Sequence, residues 1–185
     1  MMRRHKKQIR DEGVIIDLLS RCHVGRLGTN GRTGYPTIKP LNFVFHERKI
    51  YFHTAKEGEK IDDVKRDDRV CFEVDLPIAF VRGEKDEPCR AEYLYRSVIV
   101  RGRAKMVEDE EEKIAALRLL MRKYQPEGGY GDFRKEKLMI TGVVRIDIEE
   151  MTGKEDLGKD GMRERALKIL EEGIPSPVAI QRDGE

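Results

Sequence analysis

The stretch PLNFVFHERKIYFHTAKEGEK, from Pro40 to Lys60, decides the fold of this chain. Two runs rich in aromatic and β-branched residues, Leu41 to Phe45 and Ile50 to Phe52, flank the polar residues 46–49. This pattern is typical of a β-hairpin. The apolar residues after the second strand have helical spacing, which predicts a short helix over residues 59–65.

The junction between the second hairpin strand and this helix combines groups that favour an anion. Thr54 ends the strand, and Lys60 lies at the start of the helix. Backbone N–H groups and the helix dipole favour negative charge at a helix N-terminus, and the lysine adds a full positive charge. Two interpretations stay open: a phosphate site, or residues that serve only solubility and helix capping.

The composition suits one domain that binds neither nucleic acid nor membrane. The chain has 185 residues, of which 38% are hydrophobic and 39% charged, and its formal net charge is +2. This length is enough for one substantial domain and short for two. No basic face is visible, because the basic cluster at residues 3–7 is confined to the N-terminus. No apolar run approaches the roughly 20 residues that span a bilayer, and no signal-peptide segment follows the basic start.

Three cysteines, Cys22, Cys71 and Cys89, are widely spaced and form no C-x-x-C pair. This arrangement fits buried thiols in a reducing compartment better than a disulfide framework or a zinc site. We therefore expect a cytoplasmic protein without a metal centre.

Hydrophobic periodicity predicts a mainly β chain with added helices. Turn residues separate the strands, and about six strands with antiparallel connections indicate a closed or nearly closed β-barrel. Pro36 and Pro40 cannot donate to a ladder, so their strand is an edge, a bulge or a ligand-facing segment. The predicted strands cover residues 22–28, 35–45, 50–54, 69–74, 93–107 and 138–148. The predicted helices follow Asp11 and cover residues 59–65, 109–124 and 162–172, and residues 75–90 are expected to be irregular.

Among the histidines, His53 is the best placed for chemistry, since it ends a strand beside the proposed phosphate junction. An imidazole can donate or accept a proton near neutral pH. A role that only holds the turn by hydrogen bonding is equally open. Arg26 and Arg96 lie within strands, where a guanidinium must either reach solvent or face a negative group.

Several motifs, taken in chain order, resemble those of a known family. The run H-[ST]-A-x-x-G-x-K over residues 53–60 is followed by CFEV at residues 71–74 and by Y-x-S-V at residues 95–98. With GRL at residues 25–27 and PLNF at residues 40–43, these motifs resemble the pyridoxamine phosphate oxidase-like, FMN-binding split-barrel superfamily. The resemblance is closest to its nitroimidazole-resistance (nitroimidazole reductase) branch and covers roughly residues 3–153.

The resemblance implies a fold and a division of the chain. The fold would be an antiparallel split β-barrel of the FMN-binding type over residues 1–153. Residues 154–185 would form a charged C-terminal extension with one helix. The chain lacks tryptophan, and its tail does not resemble the substrate-binding segment of the oxidase itself, so vitamin B6 oxidation is not expected.

The resemblance also implies that FMN lies in a groove at the two-fold interface of a homodimer. The strand along the isoalloxazine ring would consist of Lys39, Pro40, Leu41 and Asn42. The residues along the ribityl chain would be His53, Thr54 and Ala55, and Lys60 would pair with the phosphate. The other subunit would contribute Arg96, Ser97 and Val98.

These residues favour an FMN-dependent oxidoreductase that passes electrons from a reduced donor to a small oxidised acceptor of the nitroaromatic or quinone type. His53 is the predicted catalytic residue. The alternatives are a flavin-binding or sensing module without turnover, and a split barrel that binds haem or a deazaflavin.

Overall fold

The chain folds around one antiparallel sheet, as described by a computed structural model that covers residues 5–83, 85–159 and 161–173. Eight strands are found in these residues: β1 Gln8–Ile9, β2 Val24–Asn30, β3 Pro36–Asn42, β4 Val44–His46, β5 Lys49–Ala55, β6 Arg69–Val81, β7 Glu92–Met106 and β8 Thr141–Asp156. Five α-helices accompany them: α1 Glu12–Arg21, α2 Glu59–Arg66, α3 Glu110–Tyr124, α4 Lys135–Ile140 and α5 Gly161–Glu172.

The strand order explains the barrel shape. Neighbouring strands follow the order β3-β2-β6-β7-β8-β5-β4, with β1 paired to β8, and every pairing is antiparallel. The sheet curls until β3 and β5 approach each other without forming a ladder. The predicted antiparallel split β-barrel with added helices is therefore confirmed.

The barrel interior is filled by aromatic and aliphatic side chains. Phe43 and Phe72 lie edge to face with their ring centroids 4.8 Å apart, a favoured aromatic geometry. Gly25 makes room for them, because a Cβ atom there would lie 2.0 Å from the ring of Phe72. Leu18 and Leu19 of α1 are fully buried against the same cluster.

The predicted hairpin is present, and its turn is tight. Glu47 and Arg48 have φ angles of 47° and 58° between β4 and β5. Two successive residues with positive φ match the right-handed twist of the strands that they join. The preceding strand, predicted over residues 35–45, is divided at the buried Phe43 into β3 and β4.

Two sequence predictions for single elements are wrong. Residues 75–81 continue β6, because the ladder with β7 shifts register between Pro77 and Ala79 and a bulge tolerates the missing N–H of proline. Residues 138–140 belong to α4 and not to the last strand. A short apolar run cannot be assigned to helix or strand by periodicity alone.

The C-terminal part of the described chain packs on the barrel's own strands. The predicted helix over residues 162–172 is observed as α5, where Ala166 and Leu170 pack with Leu94 and Leu157. Strand β8 continues through the predicted boundary at residue 153, and the division into domain and extension stays a prediction. The proline-containing tail, residues 174–185, lies outside the described residues.

The cysteines are only partly as predicted. Cys22 is buried, whereas Cys71 and Cys89 are exposed. Among the helices described here, none has the length and apolar character needed to cross a membrane.

Candidate functional site

Strand β3 carries four of the predicted site residues and forms one end of the strand order. Among the described strands it pairs only with β2, so its other edge keeps backbone groups that no ladder uses. Pro40 and Asn42 are exposed on one face, whereas Lys39 and Leu41 are half-buried on the other. Of the three alternatives that the two prolines left open, an edge, a bulge or a ligand-facing segment, the structure shows an edge strand.

An apolar cavity of about 400 Å³ lies beside this strand. Asn42 of β3 and His53 of β5 form one wall. The other lining residues come from α3, the segment after it, α4 and the first residue of β8: Leu117, Leu120, Met121, Tyr124, Phe133, Lys137, Leu138 and Thr141. A mostly apolar cavity of this size with a few polar groups is typical of a small-molecule site.

Tyr124 connects the cavity wall to the end of β3. Its hydroxyl accepts a hydrogen bond from the backbone N–H of Phe43 at 3.0 Å and lies 2.6 Å from the carbonyl oxygen of His23, to which it can donate. Burial raises the pKa of this phenol. The sequence predicted the apolar face of α3 but gave no signal that Tyr124 is hydrogen-bonded to Phe43, the residue between β3 and β4.

The strand–helix junction brings the start of α2 to the end of β5. Gly58, at a φ of 116°, precedes α2, and its carbonyl oxygen accepts hydrogen bonds from the N–H groups of Ile61 and Asp62. The first N–H groups of a helix have no acceptor within it. Thr54 is half-buried on the same face of β5 as Phe52, while His53 and Ala55 face the other side.

Lys60 is half-buried and lies with its ammonium 5.1 Å from the ring centroid of Phe52. Within the described residues it has no carboxylate partner. Burial lowers the pKa of its ammonium, and the positive charge of Lys39 lowers it further. Lys39 itself pairs with Glu59 at 2.7 Å. Lys39 therefore has a carboxylate partner and Lys60 has none in the described chain, which leaves the charge of Lys60 available for an anion.

Asp63 fixes α2 to the barrel, a role that sequence reasoning missed. Its carboxylate is 1% exposed and accepts hydrogen bonds from Thr29 and Arg66, both at 2.8 Å. Burial acts to raise the pKa of this carboxyl, but the hydrogen bonds from Arg66, Thr29 and Thr37 outweigh it and lower the pKa. An aspartate in a charged helix gives no sequence signal of burial.

The structure does not bring Arg96, Ser97 and Val98 to the other predicted residues within one chain. Arg96 pairs with Glu155 at 3.0 Å, and Val98 is a core residue with no exposed surface. Cross-strand pairs connect Pro40 of β3 to Arg26 of β2, Arg26 to Glu73 of β6, and Glu73 to Ile99 of β7. Ile99 directly follows Val98 in the chain. Three strand spacings separate Pro40 from Ile99, or about 14 Å.

Arg26 was expected either to reach solvent or to face a negative group, and the structure shows two carboxylates beside it. It lies on the outer face of β2, where it is bonded to Glu73 at 3.0 Å and also to Asp75. The hydrogen bonds that the guanidinium donates to Asp75 and Glu73 raise its pKa. The described residues contain no group of three or more histidine, cysteine or acidic side chains that could hold a metal ion.

Comparisons with known proteins give a family match for most of the chain. A family model described as pyridoxamine 5′-phosphate oxidase matches residues 11–155. A candidate 5-nitroimidazole antibiotic resistance protein from Bacteroides thetaiotaomicron is similar in structure, with a TM-score of 0.71 and 26% identity over 80% of this chain and 86% of that one. No match was found among curated proteins.

Two further solved structures are similar. The FAD-binding protein from Mycobacterium smegmatis has a TM-score of 0.56 at 25% identity over 80% of this chain and 96% of its own. The flavocytochrome Anf3 from Azotobacter vinelandii has a TM-score of 0.78 at 18% identity over 100% of this chain and 87% of its own. At that identity the second likeness concerns the fold alone.

Proposed function

This chain belongs to the pyridoxamine 5′-phosphate oxidase family, and from that premise we propose that it is an FMN-binding oxidoreductase. The observation that carries the proposal is the apolar cavity between the free edge of β3 and the helices α3 and α4. The name of one similar structure, the FAD-binding protein from Mycobacterium smegmatis, supports a flavin as the ligand.

The residues present fit a flavin phosphate as well as a flavin ring. A planar ring needs apolar contacts on its faces and hydrogen bonds at its polar edge, and the cavity and the edge of β3 offer these. A phosphate needs cations and N–H donors, which Lys39, Lys60 and the start of α2 offer. When bound, FMN would supply the electron-carrying chemistry of the reaction.

The protein's own part in turnover is to shape the cavity and handle protons. His53 lies on the cavity wall, where its imidazole can give a proton to a reduced acceptor or take one from a donor. Leu117, Leu120 and Phe133 form an apolar wall that keeps water away from the reacting groups. Such a cavity suits small planar acceptors of the nitroaromatic or quinone type.

We extend the proposal to a homodimer in which the β7 segment of Arg96, Ser97 and Val98 in each chain serves the flavin of the other, with Val98, which has no exposed surface, only supporting this segment from inside. Ser97 and Pro40 lie on the same outer face of the sheet, on strands β7 and β3. Two-fold packing of this face would bring the β7 segment of one chain to the β3 edge of its partner, and both sites would be equivalent.

The visible spectrum of the purified full-length protein tests the proposal, followed by release and mass measurement of the bound cofactor. A yellow protein that releases FMN, is reduced by a nicotinamide dinucleotide and passes the electrons to a quinone supports it. A yellow protein without turnover favours a flavin-binding module. A red protein favours haem, and a protein that does not bind added FMN contradicts the proposal.

A further inference from the structure

One part of the wall of the apolar cavity is a single continuous segment, residues 129–140, which we call the strap. It runs from the loop after α3 to the start of β8 and contains α4. Phe133 and Leu138 are half-buried and line the cavity, whereas every other residue of the strap is exposed. Two apolar side chains therefore hold the strap against the rest of the protein.

Few polar contacts attach the strap. The side chain of Asp132, which is 96% exposed, lies 3.5 Å from the guanidinium of Arg118, and Lys113 donates a hydrogen bond to the backbone carbonyl of Leu138. All of the strap is described, and none of it belongs to a strand. Exposed ion pairs contribute little to stability, and a segment with few buried apolar contacts opens more easily than the core.

Space lies on the other sides of the strap as well. A cleft of about 460 Å³ is lined by Tyr130 and Phe133 of the strap and by two arginines of α3, Arg118 and Arg122. A second space, of about 550 Å³, is lined by residues of α2, α3 and α4. Since close packing is what keeps a segment in one position, these gaps leave the strap room to move.

Two glycines at the beginning of the strap form a hinge. Gly128 and Gly129 have φ angles of 73° and 76°, and a Cβ atom on either would meet no described atom within 4 Å. Glycine is therefore needed for the backbone conformation and not for close packing. Such positions absorb the backbone rotation of a moving loop. The other end is fixed at Thr141, which pairs with Ala55 in the ladder of β8 with β5.

The apolar cavity is small for the proposed reaction. Its volume of about 400 Å³ lies near the lower end of the range of about 300–1,000 Å³ that is usual for ligand pockets. A flavin ring fills most of such a space, yet an acceptor must contact that ring to receive its electrons. With the strap in this position, the cavity has room for one ring system.

We propose that the strap is a hinged wall that swings outward to admit an aromatic acceptor beside the flavin, and that Phe133 determines which acceptors fit. This inference rests on the proposed function, because it concerns entry into the same cavity. Phe133 lies between the apolar cavity and the cleft beside Arg118, so its outward movement joins the two spaces.

Amide hydrogen exchange of the full-length protein, followed by mass spectrometry, tests the hinged wall. We expect the amides of α4 to exchange at least tenfold faster than those of α3, because α4 has no buried residue whereas Leu117 and Leu120 of α3 are buried. Anthraquinone-2-sulfonate, a three-ring quinone that does not alkylate thiols, should slow exchange in the strap. Equal exchange in the two helices, or no effect of this quinone, would overturn the hinged wall.

Calorimetric titration of the protein with bound FMN tests the role of Phe133. The two ligands are anthraquinone-2-sulfonate and the one-ring 4-nitrobenzenesulfonate, which carries the same charge. Phe133→Ala should shift the ratio of their affinities at least tenfold towards the three-ring ligand, and Phe133→Leu should give an intermediate ratio. Met139→Ala, at a 65% exposed position of the strap that lines neither space, is the matched control and should keep the wild-type ratio.

Two results of this titration would overturn the inference. An unchanged ratio in Phe133→Ala would remove its role in selecting acceptors, and displacement of FMN by anthraquinone-2-sulfonate would show that the wall does not make room for a second ring. A protein that binds no FMN would refute the proposed function. The exchange experiment would then still decide whether the strap opens, because its readout needs no flavin.

Discussion

At the residue scale, Lys60 is notable because it is a half-buried cation without a carboxylate partner in the described chain. A charge-assisted hydrogen bond from its ammonium to a phosphate contributes about 1.5–3 kcal/mol. We therefore expect Lys60→Ala to weaken FMN binding roughly ten- to hundredfold. Thr54→Val should cost less, because a neutral hydroxyl bond contributes about 1 kcal/mol.

Riboflavin provides the control for Lys60, since it lacks the phosphate. Its affinity, measured by titration into apoprotein, should change little in Lys60→Ala. Equal losses for FMN and riboflavin would show that Lys60 supports the fold and does not bind the phosphate.

His53 is expected to affect reactivity more than flavin affinity, because its side chain lies on the cavity wall and not at the phosphate junction. Proton transfer by a positioned side chain contributes roughly 100-fold or more to rate. His53→Gln should therefore retain FMN but slow quinone reduction by roughly that factor. His46→Gln, at an exposed position beside the hairpin turn, is the matched control. Rates for His53→Gln that equal those of the wild type from pH 5 to pH 8 would assign His53 a structural role.

Asp63 should make the free energy of unfolding depend on pH in the acid range. Its pKa is lower in the folded than in the unfolded state, so its ionised carboxylate stabilises the fold at pH values above the unfolded-state pKa, near 4. This stabilisation is lost as the pH falls through the folded-state pKa. Asp63→Asn should cost about 1–3 kcal/mol of unfolding free energy at neutral pH. Urea unfolding of both proteins measures this difference, which should shrink as the pH falls below about 4. A pH-independent difference would contradict the prediction.

At the element scale, the hydroxyl of Tyr124 joins α3 to the end of β3. Tyr124→Phe leaves the N–H of Phe43 without its acceptor, which should cost about 1–3 kcal/mol of unfolding free energy. The end of β3 should also become less ordered, so riboflavin affinity should fall. Tyr130→Phe, in the loop after α3, is the control and should change neither stability nor affinity. If Tyr124→Phe lowers the free energy of unfolding but leaves riboflavin affinity unchanged, this hydrogen bond stabilises the fold and has no role in flavin binding.

Sequence patterns predict the elements that depend on local signals. The hairpin, α2 and α3 were predictable because turn residues, capping and periodicity lie within each segment. Helix α4 was not, since its apolar run at residues 138–140 also fits a strand. The second half of β6 was hidden by Pro77, which only the bulge with β7 accommodates.

The candidate site was predictable to a similar extent. The chemistry of proline limited the strand of Pro40 to an edge, a bulge or a ligand-facing segment, and the motif around Lys60 pointed to the start of α2. The burial of Asp63 was not predictable, because it arises only when separate elements pack together.

At the scale of the whole molecule, the outer face of β3, β2, β6 and β7 has the properties of an interface. Ile38, Val24 and Ile99 on this face are 64%, 48% and 45% exposed. The ion pair of Arg26 with Glu73 lies on the same face, in register with Pro40 and Ile99. Apolar side chains surrounded by charged pairs are typical of a surface that a partner covers.

The last prediction joins assembly to cofactor binding. If a second copy of the chain covers this face and contributes Arg96, Ser97 and Val98 to the site, a charged side chain at the interface should abolish dimerisation and weaken FMN binding together. We expect Ile38→Glu to convert a dimer into a monomer in sedimentation velocity experiments. Its FMN affinity should fall at least tenfold, because each site would lose the contacts supplied by the partner.

Ile169→Glu, at a 42% exposed position on α5, is the control and should remain a dimer with normal FMN affinity. Circular dichroism should show that Ile38→Glu keeps its secondary structure, since its side chain points away from the barrel core. A folded Ile38→Glu monomer with wild-type FMN affinity would show that one chain holds the whole site. In that case Arg96, paired with Glu155 inside its own chain, would have only a structural role.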